Sequence, residues 1–166
     1  LVCKINNNGI IQWIKRYTLA QNHLNSSIGD KNILVTNSGI YFNASFTFNA
    51  PPPNILNVVA KLDLNGNIVW SKSYTLNSPK GAGFGSSLSI KNNDLYIIAN
   101  ARNTNFPGPG SESYFAINKL NEADGVLTES YAYKTAPDIL VKGITLEHAK
   151  LNIDNSFTFN YRLLYA

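Results

Sequence analysis

The sequence predicts an all-β chain built of β-propeller blades, about three four-stranded antiparallel units with a period near 57 residues. Three observations predict it. Residues 4–19, KINNNGIIQWIKRYTL, and residues 61–76, KLDLNGNIVWSKSYTL, align at a constant offset with nine of sixteen positions identical. Apolar and polar residues alternate on both sides of the turn dipeptides Asn8-Gly9, Asn65-Gly66 and Asp124-Gly125, the pattern of half-buried strands around a hairpin turn. No capping box leads into an apolar stripe of period 3.6, so no helix is expected.

Each element follows from that frame. The first two copies, and a weaker third over 119–133 (KLNEADGVLTESYAY), are hairpins of the two outer blade strands, c and d. The third carries one extra residue before Asp124-Gly125, so Glu129 falls where Trp13 and Trp70 stand and Tyr133 falls on Tyr17 and Tyr74. Asn-Gly and Asp-Gly tolerate positive φ at both turn centres, so type I′ turns are expected there. Between these hairpins lie the inner strands, a and b. Ile33–Val35 and Ile40–Phe42 flank T-N-S-G. Ser87–Ile90 and Leu95–Ala99 flank K-N-N-D. Residues 144–153 and Phe157–Phe159 flank D-N-S. Twelve strands result, in one domain over residues 1–166. Its units are 1–19, 20–76, 77–133 and 134–166, with the first and last as half-blades.

A blade cannot bury both its faces alone, so stacked neighbours are obligatory. The chain begins at strand c and finishes after strand b, so its two half-blades could complete each other. Three blades are nevertheless fewer than the usual ring of about four to eight. Three arrangements stay open: a larger propeller of which this is a segment, which is favoured, association of several copies, or an open arc.

The 166 residues are 44% hydrophobic and only 14% charged. Asn, Ser, Thr and Tyr fill the polar positions, which suits a β-protein with a hydrogen-bonding surface. The chain contains no Met, as expected of a mature product or a segment of something longer. The net charge of +4 comes from scattered residues. No Lys/Arg stripe with interleaved aromatics marks a nucleic-acid surface. Cys3 is the only cysteine. It rules out an intramolecular disulfide and reads as a small strand residue. No apolar run is long enough for a membrane-spanning helix, so direct membrane insertion is not expected.

The run V-A-K-L-D-L-N-G-N-I-V-W-S-K-S-Y resembles the repeat of bacterial secreted seven-bladed β-propellers, the SBBP repeat. The resemblance rests on Lys61, Leu62, Asp63, Gly66, Asn67, Trp70 and Tyr74. It rests less fully on Lys4, Ile5, Gly9, Trp13 and Tyr17, and in the second half on Asp94–Ala99. It implies an exported protein of a Bacteroidetes-like bacterium, secreted or at the cell surface. The Asn-, Ile- and Lys-rich composition agrees with an AT-rich genome of that kind. Ala60, Asp63, Gly66 and Trp70 also approximate the pyrroloquinoline-quinone-type propeller repeat. There Gly and Trp dock one blade on the next, and the match does not imply the cofactor.

Few residues suggest chemistry. Asp63, Asn65 and Asn67 have the spacing of calcium-loop ligands, but Gly66 comes fourth instead of sixth and Tyr74 stands where the bidentate Glu belongs. The stretch reads as a turn, and no metal or other cofactor is implied. Gly81–Gly85 lacks the Lys-Ser/Thr of a phosphate loop and precedes a strand. His23 and His148, the latter beside Glu147, have no recognisable nucleophile. Gly9, Trp13, Tyr17, Gly66, Trp70, Tyr74, Gly125 and Tyr133 are structural repeat positions. The long connections around 20–32, 49–54, 77–86 and 103–113 share the face opposite the tight turns. Phe84, Phe106 and Tyr114 on that face are the binding candidates. The expected function is a non-enzymatic protein- or glycan-binding or scaffold module. Its partners could include the rest of a larger propeller or further copies of the chain. A quinoprotein or hydrolase working through the axis, with Lys91, Lys142 and Glu147 as its ionisable residues, is the alternative. A structural spacer in a large surface protein is the third reading.

Overall fold

The computed structural model describes residues 1–18, 25–27, 32–48, 54–74, 84–102, 113–134 and 141–165. Among them are thirteen strands and no helix: β1 (Val2–Ile5), β2 (Ile11–Lys15), β3 (Asn25–Ser27), β4 (Ile33–Thr36), β5 (Gly39–Phe48), β6 (Asn54–Leu62), β7 (Ile68–Tyr74), β8 (Phe84–Lys91), β9 (Asp94–Arg102), β10 (Ser113–Asn121), β11 (Leu127–Lys134), β12 (Val141–Leu151) and β13 (Phe157–Tyr165). The strand unforeseen in the sequence is β3. It pairs with the far half of β5, in line with β4 on the near half.

Every described pairing is antiparallel and, apart from β3 with β5, joins strands consecutive in the chain. Sheet I is four strands wide, with β3 and β4 on β5, then β6, then β7. Sheet II runs β8-β9-β10-β11. β1-β2 and β12-β13 are separate two-stranded sheets. The two half-sheets do not complete each other within the chain. They lie on opposite sides of the stack, β1-β2 against sheet I and β12-β13 against sheet II.

The repeat fixes the register. Lys4 stands opposite Trp13, Lys61 opposite Trp70 and Lys119 opposite Glu129, and each pair is followed by a register shift before the turn. The extra residue of the third copy is accommodated in its turn, between Leu120 and its partner Leu127.

Alternation along the strands splits the core into layers. Ile40, Phe42, Val58, Ala60 and Leu62 face β1-β2, where Trp13 and Tyr17 cover them. Tyr41, Val59 and Trp70 face Leu88, Leu95, Ile97 and Leu120 of sheet II. Ile98 and Ile117 meet Ala149, Phe157 and Phe159. Side chains as fully covered as Leu62, Leu95, Ile98 and Leu120 each stabilise by about 1.5–3 kcal/mol.

The turns correct one expectation. Only the glycines of the Asn-Gly and Asp-Gly pairs have positive φ, 78° at Gly9, 76° at Gly66 and 71° at Gly125. Gly66 N donates to Asp63 O at 3.0 Å and Asp63 N to Asn67 O at 2.9 Å. The hairpin is therefore a type I turn followed by a left-handed glycine bulge, not a type I′ turn. The reason lies in the side chain before the turn. Asp63 Oδ1 accepts from the backbone N–H of Asn65 and Asn67, and Asp63 Oδ2 accepts from the Asn67 amide. Asn6 Oδ1 does the same for Asn8 and Ile10. The type I′ geometry appears instead at Asn92-Asn93, with φ of 52° and 64°.

Candidate functional site

The strand directions separate two ends of the stack. The short turns at 6–10, 37–38, 63–67, 92–93, 122–126 and 152–156 lie at one end. The strands flanking 49–53, 75–83, 103–112 and 135–140 all stop at the other.

Of the binding candidates, Phe84 opens β8, with its backbone opposite Asn100. Tyr114 lies in β10, opposite Ala101 and Lys134. Both therefore sit on strands, at the loop-bearing end of sheet II, with Asn100 facing Phe84 on one side and Phe115 on the other. Phe106 lies outside the described residues, as do His23, Gly81–Gly83 and the segments 49–53 and 103–112. Of His148, Lys142 and Glu147 only the strand position on β12 is described.

Six of the eight repeat positions converge on the seams between sheets, whereas Gly9 and Tyr133 are exposed and meet no neighbouring sheet among the described residues. Trp13 Nε1 and Lys4 Nζ both donate to Leu64 O, at 3.3 and 3.1 Å. Tyr17 donates its hydroxyl to Gly66 O at 2.7 Å, and Lys15 reaches Asn67 Oδ1 at 2.8 Å. The next seam repeats the plan. Trp70 Nε1 donates to Glu122 O at 3.1 Å, and Tyr74 donates its hydroxyl to Gly125 O. A Cβ on Gly66 would stand 3.0 Å from the Trp13 ring, and one on Gly125 would stand 2.7 Å from the Trp70 ring. Glycine thus serves both the left-handed turn and the aromatic ring lying on it. At the third seam Lys91 Nζ donates to Asn152 O at 3.0 Å and Ile153 O at 2.5 Å, and Ser87 donates to Ala149 O at 2.8 Å. Lys91, offered above to an axial channel, is engaged in docking.

One cluster of titratable side chains was not foreseen. Lys61 Nζ lies 2.6 Å from Glu122 Oε1, and the same oxygen accepts from the Tyr41 hydroxyl and, at 3.2 Å, from Ser38. The Lys61 ammonium also lies 5.6 Å from the Tyr41 ring centre. Tyr41 is fully buried and Lys61 is 9% exposed. Burial, reinforced by the Glu122 hydrogen bond, raises the Tyr41 hydroxyl above its ordinary range. Burial opposes both charged partners of the ion pair, but their mutual hydrogen bonding prevails, leaving Lys61 raised and Glu122 lowered. All three groups are thus held in their neutral-pH forms, which suits a latch between sheets and not proton transfer near pH 7. The signal available in the sequence was the lysine recurring as Lys4, Lys61 and Lys119, together with the acidic residue in the lengthened third turn.

A cleft between the sheets is lined by Asn43, Asn57, Val59, Tyr74, Ile97, Ala99 and Asn118. The space open to the centre of a water-sized sphere is about 20 Å³, enough for a water or two. Among its lining residues is Asn43, whose Oδ1 is buried and without a hydrogen-bond partner among the described residues. Such a volume suits hydration of buried amides and is far below that of a small-molecule pocket. No family model, curated protein or solved structure matches the chain.

Proposed function

We propose that the chain is a run of β-propeller blades acting as a non-enzymatic binding or scaffold module for a protein or glycan. In this reading the protein is exported by a bacterium, to the cell surface or a secretion-associated assembly, and binds through its loop-bearing end. The observation that carries the reading is the division of labour between the two ends. At the turn end, Lys4, Trp13, Tyr17, Lys61, Trp70 and Tyr74 dock one sheet to the next. The connections that vary in length and carry Pro and aromatic residues leave from the other end, where a rigid scaffold presents variable loops. Two antiparallel meanders, each four strands wide, support the blade reading, with one Trp-Gly contact joining β1-β2 to sheet I and a second joining sheet I to sheet II. The resemblance to secreted propeller repeats supports export.

The test is binding of the purified chain to arrayed bacterial polysaccharides and surface polypeptides. It is compared with a triple variant carrying Phe84→Ala, Phe106→Ala and Tyr114→Ala. Saturable binding lost in the variant is expected. Binding retained in the variant overturns the assignment to that end. No binding by either protein overturns the module in favour of a spacer.

A further inference from the structure

The two half-sheets leave complementary gaps. β1-β2 covers β5 and β6 of sheet I and leaves β4 open, whereas β12-β13 covers β8, β9 and part of β10 of sheet II and leaves β11 open. Positions that are core where covered are exposed where not. Ile33 and Val35 on β4 correspond to Leu88 and Ile90 on β8. Leu88 is 8% exposed under sheet I, whereas its counterpart Ile33 is 43% exposed and Val35 is 65% exposed. Ile5 corresponds to Leu62 and Leu120, both wholly buried, yet is 56% exposed. Ile14 and Cys3, on the same face of β1-β2 as Ile5, are exposed too.

The docking pair is split in the same way. Tyr17 and Tyr74 each rest on the glycine turn of the following sheet. Tyr133, their counterpart on β11, is 53% exposed, and its hydroxyl has no partner among the described residues. Gly9, the counterpart of Gly66 and Gly125, has no atom within 4 Å of where its Cβ would stand. The chain thus carries a docking tyrosine with no turn beneath it and a docking turn with no tyrosine upon it.

We infer that a second copy of this chain fills both gaps, head to tail, its β1-β2 hairpin completing the β12-β13 sheet and seating its Gly9 turn under Tyr133. The inference rests on reading the sheets as propeller blades. β13 and β1 each have one edge unpaired among the described residues, and such edges favour strand addition. The register follows from the complete sheets, where Ile40 faces Leu62 and Leu95 faces Leu120. It places Phe157 opposite Ile5 of the second copy, and Phe159 opposite Cys3. Ile5, Cys3 and Ile14 of that copy then cover Tyr131 and Tyr133, while β12 covers its Ile33 and Val35. Two complete sheets and two halves per chain make a closed ring of six from two copies. Six lies within the range of about four to eight blades, and three copies would exceed it. The heterologous contact then closes instead of growing into a filament.

The experiment is the mass in solution of the whole 166-residue chain, by sedimentation at micromolar concentrations, with the accessibility of Cys3 to a thiol reagent as second readout. Twice the single-chain mass is expected, with Cys3 protected in step with association. Tyr133→Arg and Ile14→Arg, both on surfaces exposed in the single chain, each halve the mass while leaving the strand circular-dichroism spectrum unchanged. A single-chain mass at every concentration overturns the inference, including the case in which strands of a longer polypeptide fill the gaps. A double mass that survives both substitutions, or leaves Cys3 as reactive as before, also overturns it by placing the contact elsewhere. None of these outcomes bears on the assay of the loop-bearing end, whose variants are at other residues.

Discussion

Trp70 lies flat on Gly125: a Cβ there would meet Trp70 Cε3 at 2.7 Å, and the indole N–H reaches over to Glu122 O at 3.1 Å. Gly125→Ala therefore carries two penalties. The left-handed backbone, with φ of 71°, costs about 1–2 kcal/mol for any residue with a Cβ. The new methyl group must also lift the ring from its seat. Gly9→Ala carries the backbone penalty alone, because its Cβ meets open space. Urea unfolding of both variants, at concentrations where the chain is single, should show Gly125→Ala as clearly the more destabilised. Equal losses would mean that the indole does not depend on the glycine.

The Lys61–Glu122 pair bridges the same two sheets. Its side chains are 11% and 15% exposed, so removing one charge leaves the other poorly solvated. Glu122→Gln should cost about 1–3 kcal/mol. The double change Lys61→Met with Glu122→Leu should recover much of that, since an apolar pair of similar size has no charge to desolvate. The sign of the pH effect follows from the shifts. Glu122 is lowered in the fold, so its stabilisation is present above the ordinary carboxylate range and is lost as pH falls through the lowered value. Unfolding midpoints of the native protein and Glu122→Gln should converge in acid. A constant gap would remove the ion pair from the account.

Much of this architecture was legible because the repeat writes its packing into the sequence. Lys61, Gly66, Trp70 and Tyr74 recur as Lys4, Gly9, Trp13 and Tyr17 because a lysine, an indole and a phenol must all reach the same turn one sheet away. The extra residue of the third copy was legible for the same reason. The turn type was not. Asn-Gly satisfies both candidate geometries, and what decides between them is the side chain two residues before the Asn, Asp63 or Asn6, through bonds invisible to dipeptide preference. The Tyr41–Lys61–Glu122 cluster was hidden because its members come from three strands or turns, and Glu122 stands in the copy that departs from the pattern. Phe84 and Tyr114, read as loop residues, fall on strand ends because β8 and β10 extend further than their alternation indicated.

The two latched turns make a natural comparison. Asn6 holds its turn with an amide oxygen, whereas Asp63 uses a carboxylate whose pKa is lowered, first by the Asn67 N–H and then by the Asn67 amide. If geometry and not charge is what the turn requires, Asp63→Asn should leave the unfolding midpoint near neutral pH almost unchanged, while Asp63→Ala should lower it. The difference between native protein and Asp63→Asn should appear only in acid. Asp63 contributes above the ordinary carboxylate range and loses that contribution as pH falls through its lowered value. Asp63→Asn as destabilising as Asp63→Ala would show that the charge itself is needed, and the comparison with Asn6 would fail.

The alkaline limb depends on the tyrosines that dock the sheets. Burial, with the charge of Asp124 second, pushes the Tyr74 hydroxyl up to about 12. Tyr17 is raised by burial and then by Asp63. A raised tyrosine stabilises the fold fully below the unfolded value near 10, and that contribution is lost as pH rises through the folded value. Above pH 10 the unfolded chain releases these protons first, so the equilibrium moves toward it. Lys61, also raised, loses its contribution in the same direction. The native protein should therefore lose stability steeply above about pH 10, with tyrosinate absorbance and the loss of strand signal rising together. Tyr74→Phe removes the bond to the Gly125 carbonyl and so lowers stability at neutral pH, yet it also removes one of the raised phenols. Its stability curve should therefore start lower and fall less steeply above pH 10. Parallel curves for native protein and Tyr74→Phe would show that Tyr74 ionises without opening the seam.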